Sequence, residues 1–269
     1  TSGIGYETAK SLAEMGASVV VIGRNKEKSI HTVEQLTQLT GNEGIEHLLA
    51  DLSSQEEIRN LAKKIQERYD HLDVLVNNAG AIFFRRQETK DGLEMTFALN
   101  HLGYFLLTNL LLNLIEQSAP ARIVNVASAS HRGASINFDD LQSEQSYSAM
   151  KAYGQSKLAN ILFTYELARR LENSQVKVNA LHPGFVGSNF GKNSGWLGKA
   201  IMPFLHLFAR SPEKGAETAV YLAASPEVDG ITGQYFIDKK PADSSPASHN
   251  VKTAQKLWEV SEQLTGLRS

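Results

Sequence analysis

Ser18-Val-Val-Val-Ile-Gly23 is a short, β-branched run that stops at a glycine, with Arg24 directly after it. β-branched side chains pack well on a pleated surface and lose rotamers in a helix, so the run predicts a strand. It shows no polar alternation, which fits a strand covered on both faces, as in a parallel sheet. Helix-like sequence flanks it, Gly5 to Met15 before and Lys26 to Leu39 after. The same pattern recurs down the chain. Val74-Leu-Val-Asn77, Arg122-Ile-Val-Asn-Val-Ala127 and Val176-Lys-Val-Asn-Ala-Leu181 are similar runs, and Ile45 to Leu49 and Gln234 to Ile237 are weaker ones. Between them lie helical stretches: Gln55 to Tyr69, Asp91 to Gln117, Ser148 to Leu171 and Pro212 to Ala223. This alternation predicts an α/β fold, a doubly wound parallel sheet, as one domain over residues 1–269. Asp238 to Asn250 is polar and contains proline, and reads as a surface loop before a last helix from Lys252 to Leu264, within 250–266.

The chain has 269 residues, of which 42% are hydrophobic. It carries 27 basic and 29 acidic residues, a formal charge of −2, so a nucleic-acid binder with a basic surface excess is excluded. There is no cysteine. That excludes disulfides, thiolate catalysis, Cys-ligated zinc and iron–sulfur clusters, and fits a reducing compartment; a cytoplasmic location is expected. The eight histidines show no metal-ligand spacing, so no metal site is expected. The longest apolar stretch, Leu102 to Ile115, is interrupted by Gly103, Thr108, Asn109 and Asn113. It is too short and too polar for a membrane span, and no secretory signal pattern opens the sequence.

Thr1-Ser-Gly-Ile-Gly5 reads as the end of a glycine-rich turn running into a helix. Such a turn should follow a strand, and in a doubly wound sheet that strand is central. The expectation is therefore that one strand and at least one glycine precede the sequence in the working protein. The alternative is a chain that folds without them, the gap filled in another way.

Several residues carry chemistry. Glycines let backbone N–H groups approach a pyrophosphate, and the helix that follows offers its positive end to it. Arg24 ends the strand where an adenosine ribose would sit. A carboxylate there would accept from the 2′-hydroxyl, whereas a guanidinium can hold a 2′-phosphate with two hydrogen bonds, which favours NADP(H) over NAD(H). Asp51 could accept from the adenine amino group or cap the helix beginning near Ser54. In Asn77-Asn-Ala-Gly80, small residues would let a flat ring approach, and asparagine side chains can bridge neighbouring strand ends; a plain turn is the simpler reading. Tyr153 and Lys157 are four apart and share a helix face. A cation beside a phenol lowers its pKa, and the pair could then move a proton near neutral pH. Ser128 ends its strand, where ligand-binding groups of open α/β sheets collect. His131 could reach a substrate but better suits loop packing, and His182 reads as structural.

Together these residues resemble the short-chain dehydrogenase/reductase family, in order and along essentially the whole chain: Thr1 to Gly5, Asp51-Leu52, Asn77 to Gly80, Asn100, Ser128, Tyr153-x-x-x-Lys157 and Pro183-Gly184. Tyr153 to Asn160, Leu162 to Leu167, Asn179 to Gly184 and Lys256 to Glu259 resemble the retinol dehydrogenase-like and WW-domain oxidoreductase-like branch. The resemblance implies a Rossmann fold and an oxidoreductase that interconverts a lipophilic carbonyl compound and its alcohol with NADP, or less readily NAD. Tyr153 would be the proton donor and acceptor. Lys157 would hold the nicotinamide ribose and depress the Tyr153 pKa. Ser128 would orient the reacting oxygen, and Asn100 would bind a water that relays protons to Lys157. Cofactor contacts would come from Ser2, Gly3, Ile4, Gly5, Arg24, Asp51, Leu52, Asn78, Ala79, Gly80, Pro183, Gly184, Val186 and Ser188. Residues 190–210, rich in apolar side chains, would be a lid over the substrate, with Phe83, Phe190 and Trp196 lining the cleft. The helices Asp91 to Gln117 and Ser148 to Leu171 would form the face of a homodimer or homotetramer. The competing readings are a cofactor-sensing or scaffold protein that kept the fold, and light-driven reduction of a pigment double bond. Absorbance of NADPH with a panel of lipophilic aldehydes separates the enzyme from the sensor or scaffold, and the absence of cysteine weakens the light-driven reading.

Overall fold

The computed structural model describes residues 1–185 and 210–267. The elements follow the sequence pattern closely. They are α1 (Gly3–Glu14), β1 (Val19–Gly23), α2 (Lys26–Thr40), β2 (Ile45–Leu49), α3 (Gln55–Arg68) and β3 (Val74–Asn77). A short α4 (Met95–Phe97) runs through a π-turn, Ala98–Leu102, into α5 (Gly103–Gln117). Then come β4 (Ala121–Val126), α6 (Ala149–Arg170), β5 (Val176–His182), α7 (Pro212–Ala224), β6 (Tyr235–Ile237), β7 (Lys240–Pro241) and α8 (Val251–Leu264). Local chemistry sets the ends. Asn25, Ser54, Ser211 and Asn250 each cap a helix by accepting a backbone N–H, and Gly41 closes α2 in the left-handed region.

β3, β4, β5 and β6 pair in parallel, and β7 adds an antiparallel edge. β1 and β2 form a separate parallel pair. Among the described residues β1 and β3 do not pair with each other, so the strands fall into a two-stranded and a five-stranded sheet. Helices cover both faces. α3, α5 and α6 close one apolar cluster with Ile123 and Val178, and Ile22 and Leu48 of the β1–β2 pair pack on it. α7 covers Val124, Val126 and Leu181 on the other face, joined by Leu12 of α1. This is the doubly wound arrangement read from the sequence.

Two expectations change. The helix expected from Asp91 starts at Met95, because Glu94 caps it by accepting from Thr96 and Phe97 N–H, and the π-turn interrupts it. The Asp238–Asn250 segment is more than a surface loop. Ser244, Ser245 and Ser248 are buried, and the Ser244 hydroxyl meets Tyr165, Ser248 and His249. The Ser244 and Ser248 hydroxyls are satisfied in this way, and Ser245 takes part through its backbone, its N–H donating to His131 Nε2. α8 packs against α6 through Ala254 and Leu257, and Trp258 lies edge-on to Phe105 at 4.9 Å. The α6 residues from Ala152 to Ala168 are therefore buried inside the chain.

Candidate active site

Parallel strands end on one edge of the sheet, so the residues following β3, β4 and β5 gather there. Beyond β4 the chain turns at Ser128, whose Oγ accepts from Ser130 N–H at 3.2 Å and starts a single 3-10 turn. α6 runs against this edge. Lys157 Nζ donates to the Val126 carbonyl at 3.0 Å, and Asn160 Nδ2 donates to the same oxygen at 3.3 Å. These bonds pin the helix to the strand end. One turn away, Tyr153 lies with its ring centroid 5.8 Å from Nζ, and its phenol is hydrogen-bonded to the Ser128 side chain. The three residues singled out from the sequence thus come together.

Asn100 joins them from the π-turn. Its Oδ1 accepts from Ala81 N–H at 2.8 Å, and its Nδ2 donates to the Ala81 carbonyl and to Ser156 Oγ. A π-turn widens a helix by one residue and is frequent at functional sites. Gly80 sits in the gap: a Cβ there would be 3.2 Å from Asn100 Oδ1 and 3.3 Å from Lys157 Nζ. The side-chain amide of Asn100 is occupied in holding the Asn77 to Gly80 segment against α6. Asparagines also bridge strand ends below the site. Asn77 Nδ2 donates to Asn125 Oδ1 at 2.8 Å and to Thr108 Oγ1, and Asn125 Nδ2 donates to Thr164 Oγ1.

Burial dominates the electrostatics. It pushes the Tyr153 phenol up to about 12, opposed by the Ser128 hydrogen bond. It pulls the Lys157 ammonium down to about 7. The expectation that Lys157 depresses the Tyr153 pKa is therefore corrected. Nζ lies over the ring and bonds a carbonyl, and desolvating the phenolate outweighs the nearby cation.

The neighbouring edge fits an anionic dinucleotide. α1 starts at Gly3, Ser2 makes no side-chain cap, and the first turn holds no acid. A free, acid-free helix start suits a pyrophosphate. Ile4 lies in the same first turn, and a Cβ on Gly5 would be 2.6 Å from Asn78 Nδ2, so the turn and the Asn77–Gly80 segment touch. Arg24 is exposed at the end of β1, with Nη1 3.8 Å from Asp51 Oδ2. Asp51 is not the cap of α3. Its Oδ1 takes the N–H and hydroxyl of Ser53, while Ser54 does the capping. The physical reason is reach: Asp51 precedes the helix by four residues and folds back on its own turn. Leu52 packs on the apolar cluster of α3 and α5.

His131 is fully buried. Its Nε2 accepts from Ser245 N–H at 2.9 Å, so Nδ1 carries the proton and donates to the Ser128 carbonyl at 2.6 Å. It packs the loop and does not face outward. His182 Nδ1 accepts from Ala129 N–H, and burial pulls its pKa down to about 4. Phe83 is buried, its carbonyl bonded by the Tyr147 hydroxyl, and it is the next residue, Phe84, that is exposed. Of the two, Phe84 rather than Phe83 presents its ring at the surface here. Val186, Ser188, Phe190, Trp196 and nearly all of the expected lid lie outside the described residues. No cluster of metal-ligating side chains occurs among the described residues. The helical stretch Met95–Gln117 is long and apolar enough to cross a membrane by composition, but 72% of the window is buried within the protein, as a core helix is.

Two neighbours escaped the sequence reading. Arg210 donates its backbone N–H to the Phe185 carbonyl and grips Asp238 with both Nη atoms, its side chain lying across Gly184. Tyr104 places its ring 5.6 Å from Lys157 Nζ. The i, i+4 spacing from Asn100 was the signal available for Tyr104. Arg210 had none, because Gly184 and Asp238 are brought to it only by the fold.

The sequence profile of short chain dehydrogenases matches residues 1–195. The chain is 43% identical over 283 residues to human retinol dehydrogenase 14, covering 99% of this chain and 84% of that protein. It is 42% identical over 276 residues to human polyprenol dehydrogenase, covering 99% and 83% respectively. Among solved structures, the Pseudomonas aeruginosa RhlG/NADP active-site complex superposes with a TM-score of 0.68 and 29% identity, covering 87% of this chain and 90% of that one.

Proposed function

The chain belongs to the short-chain dehydrogenase family and is an oxidoreductase acting on CH–OH groups; from that premise we propose that it interconverts a lipophilic alcohol and its carbonyl compound with NADP(H). The observation that carries the reading is the meeting of Ser128, Tyr153 and Lys157 at the end of β4.

When bound, the nicotinamide cofactor supplies or receives the hydride. Tyr153 gives its proton to the carbonyl oxygen in reduction and takes one from the alcohol in oxidation. Ser128, already its hydrogen-bond partner, orients the reacting oxygen. Lys157 holds the nicotinamide ribose and, when charged, favours the phenolate. Asn100 keeps Ala81 and Ser156 in register beside it. Ser2, Gly3, Ile4 and Gly5 take the pyrophosphate. Arg24 takes the 2′-phosphate, since an exposed pair with Asp51 at 3.8 Å costs little to rearrange. The NADP complex of a similar structure supports that choice. Pro183 and Gly184 border the nicotinamide. The names of the relatives, retinol and polyprenol dehydrogenases, support an apolar substrate. So do three exposed apolar side chains within four positions of site residues in the sequence: Phe84, Met150 and Phe185.

The test is NADPH absorbance with retinaldehyde, a polyprenyl aldehyde and short polar aldehydes, repeated with NADH. Faster turnover of the long apolar aldehydes with NADPH is expected. A protein that binds NADPH yet oxidises it with none of them is a sensor or scaffold, and the reading falls.

A further inference from the structure

Tyr104 is a phenol that the reaction above does not use. It lies on α5, four residues past Asn100, and is 2% exposed. Its hydroxyl has no hydrogen-bond partner among the described residues. Burying a hydroxyl without a partner is unfavourable, so the ring rather than the oxygen is what this position uses. Lys157 Nζ lies over that ring, 5.6 Å from its centroid, and over the Tyr153 ring at 5.8 Å. Both distances fall inside the roughly 6 Å within which a ring quadrupole attracts a cation, and desolvation strengthens the attraction.

The surroundings of the ammonium leave little else to hold its charge. β4 offers only the Val126 carbonyl, and the Gly80 segment presents backbone. The titratable groups facing it are Tyr153 on its own helix and Tyr104 on α5. Among the described residues no carboxylate influences it; burial alone shifts its titration, and does so towards the neutral amine. Two ring faces on two helices are then the groups that oppose proton loss.

We propose that Tyr104 is a positioning residue for the reaction, its ring forming a second aromatic wall that holds the Lys157 ammonium in place and charged beside Tyr153. The proposal rests on the roles given above to Lys157 and Tyr153. Carbonyl reduction needs both side chains protonated, so its rate should fall as rising pH neutralises Lys157. Weakening the wall moves that fall to lower pH.

The experiment is the pH dependence of kcat for retinaldehyde reduction by NADPH, in the full chain. In Tyr104→Leu the falling limb should move down by about half to one pH unit, and Tyr104→Phe should leave it where the wild type has it. Fluorinated phenylalanines at position 104 keep the ring's shape while draining its quadrupole, so the limb should move stepwise with fluorine number even if the leucine variant folds poorly. A uniform loss of rate with an unmoved limb, or a limb insensitive to fluorination, overturns the proposal while the oxidoreductase reading stands. A wild type without carbonyl turnover removes that reading, and the proposal with it.

Discussion

At Tyr153 the structure sets a demand that the side chain alone cannot meet. A phenol pushed to about 12 by burial is a poor base at neutral pH, and its Ser128 partner offsets only part of this. Lys157 Nζ, 5.8 Å from the ring centroid, does not bring the phenol back to the neutral range either. Replacing Tyr153 with Phe removes the proton and leaves the α1 and Arg24 edge untouched. We expect kcat to fall by about 10² to 10⁴, while the Tm increase produced by NADPH stays within experimental scatter of the wild type. Thermal-shift titration beside steady-state rates checks both halves, and a variant with full activity refutes the assignment. Arg24 is tested through selectivity. Arg24→Asp should shift the ratio of kcat/KM for NADPH over NADH towards NADH by at least about tenfold, the scale of a lost charge-assisted hydrogen bond. An unchanged ratio removes Arg24 from the phosphate site.

Among the elements, β3, β4 and α6 are tied by a line of buried amides and hydroxyls. Asn77 donates to Asn125, Asn125 to Thr164, and Thr164 back to the Asn160 carbonyl. Asn125 is fully buried and serves one partner on each side. Asn125→Ala strands both, and we expect a loss of about 1–3 kcal/mol, read from the urea midpoint at unchanged m-value. A midpoint equal to wild type would show that the line is incidental. α8 has its own anchors on α6. Arg170 lies over the Trp258 ring at 4.0 Å and also binds the buried Glu166. Of the two helices that the resemblance implied as an association face, α6 packs against the chain's own last helix.

For the whole molecule, the buried bases set how stability depends on pH. His101 is fully buried, with Nε2 3.1 Å from Ser261 Oγ, and burial pulls its pKa from 6.5 to about 3, partly opposed by Asn160. His182 falls to about 4 by burial and the nearby Arg210. In the unfolded chain both take protons near their ordinary values. Between about pH 6.5 and the folded values the unfolded state binds more protons, so stability falls as pH falls through that window and is unaffected above it. For His101 the loss at pH 5 is about 2 kcal/mol. Urea midpoints should therefore drop from pH 7 to 5, and His101→Gln should flatten the drop. Equal slopes for both proteins would contradict this. Lys157 acts in the same sense at higher pH: folded near 7 and unfolded near 10.5, it adds stability as pH rises between them.

Much of this was legible in the sequence because it depends on local pattern. Val74–Asn77 and Ile45–Leu49 are strands with the bounds read from the sequence, and Tyr153 and Lys157 share a face because a helix repeats every 3.6 residues. Ser128, Asn100 and Gly80 could be singled out one by one, but their meeting required parallel strands to end on a common edge. The tertiary structure alone decided how deeply the site is buried, and so turned a phenol expected to be acidic into one near 12 and an ammonium into one near 7. It also brought Tyr104 to Lys157 and Arg210 to Gly184, and it buried the serines of a polar loop. Sequence spacing carries backbone periodicity, whereas desolvation is a property of everything packed around a group, which only the folded chain assembles.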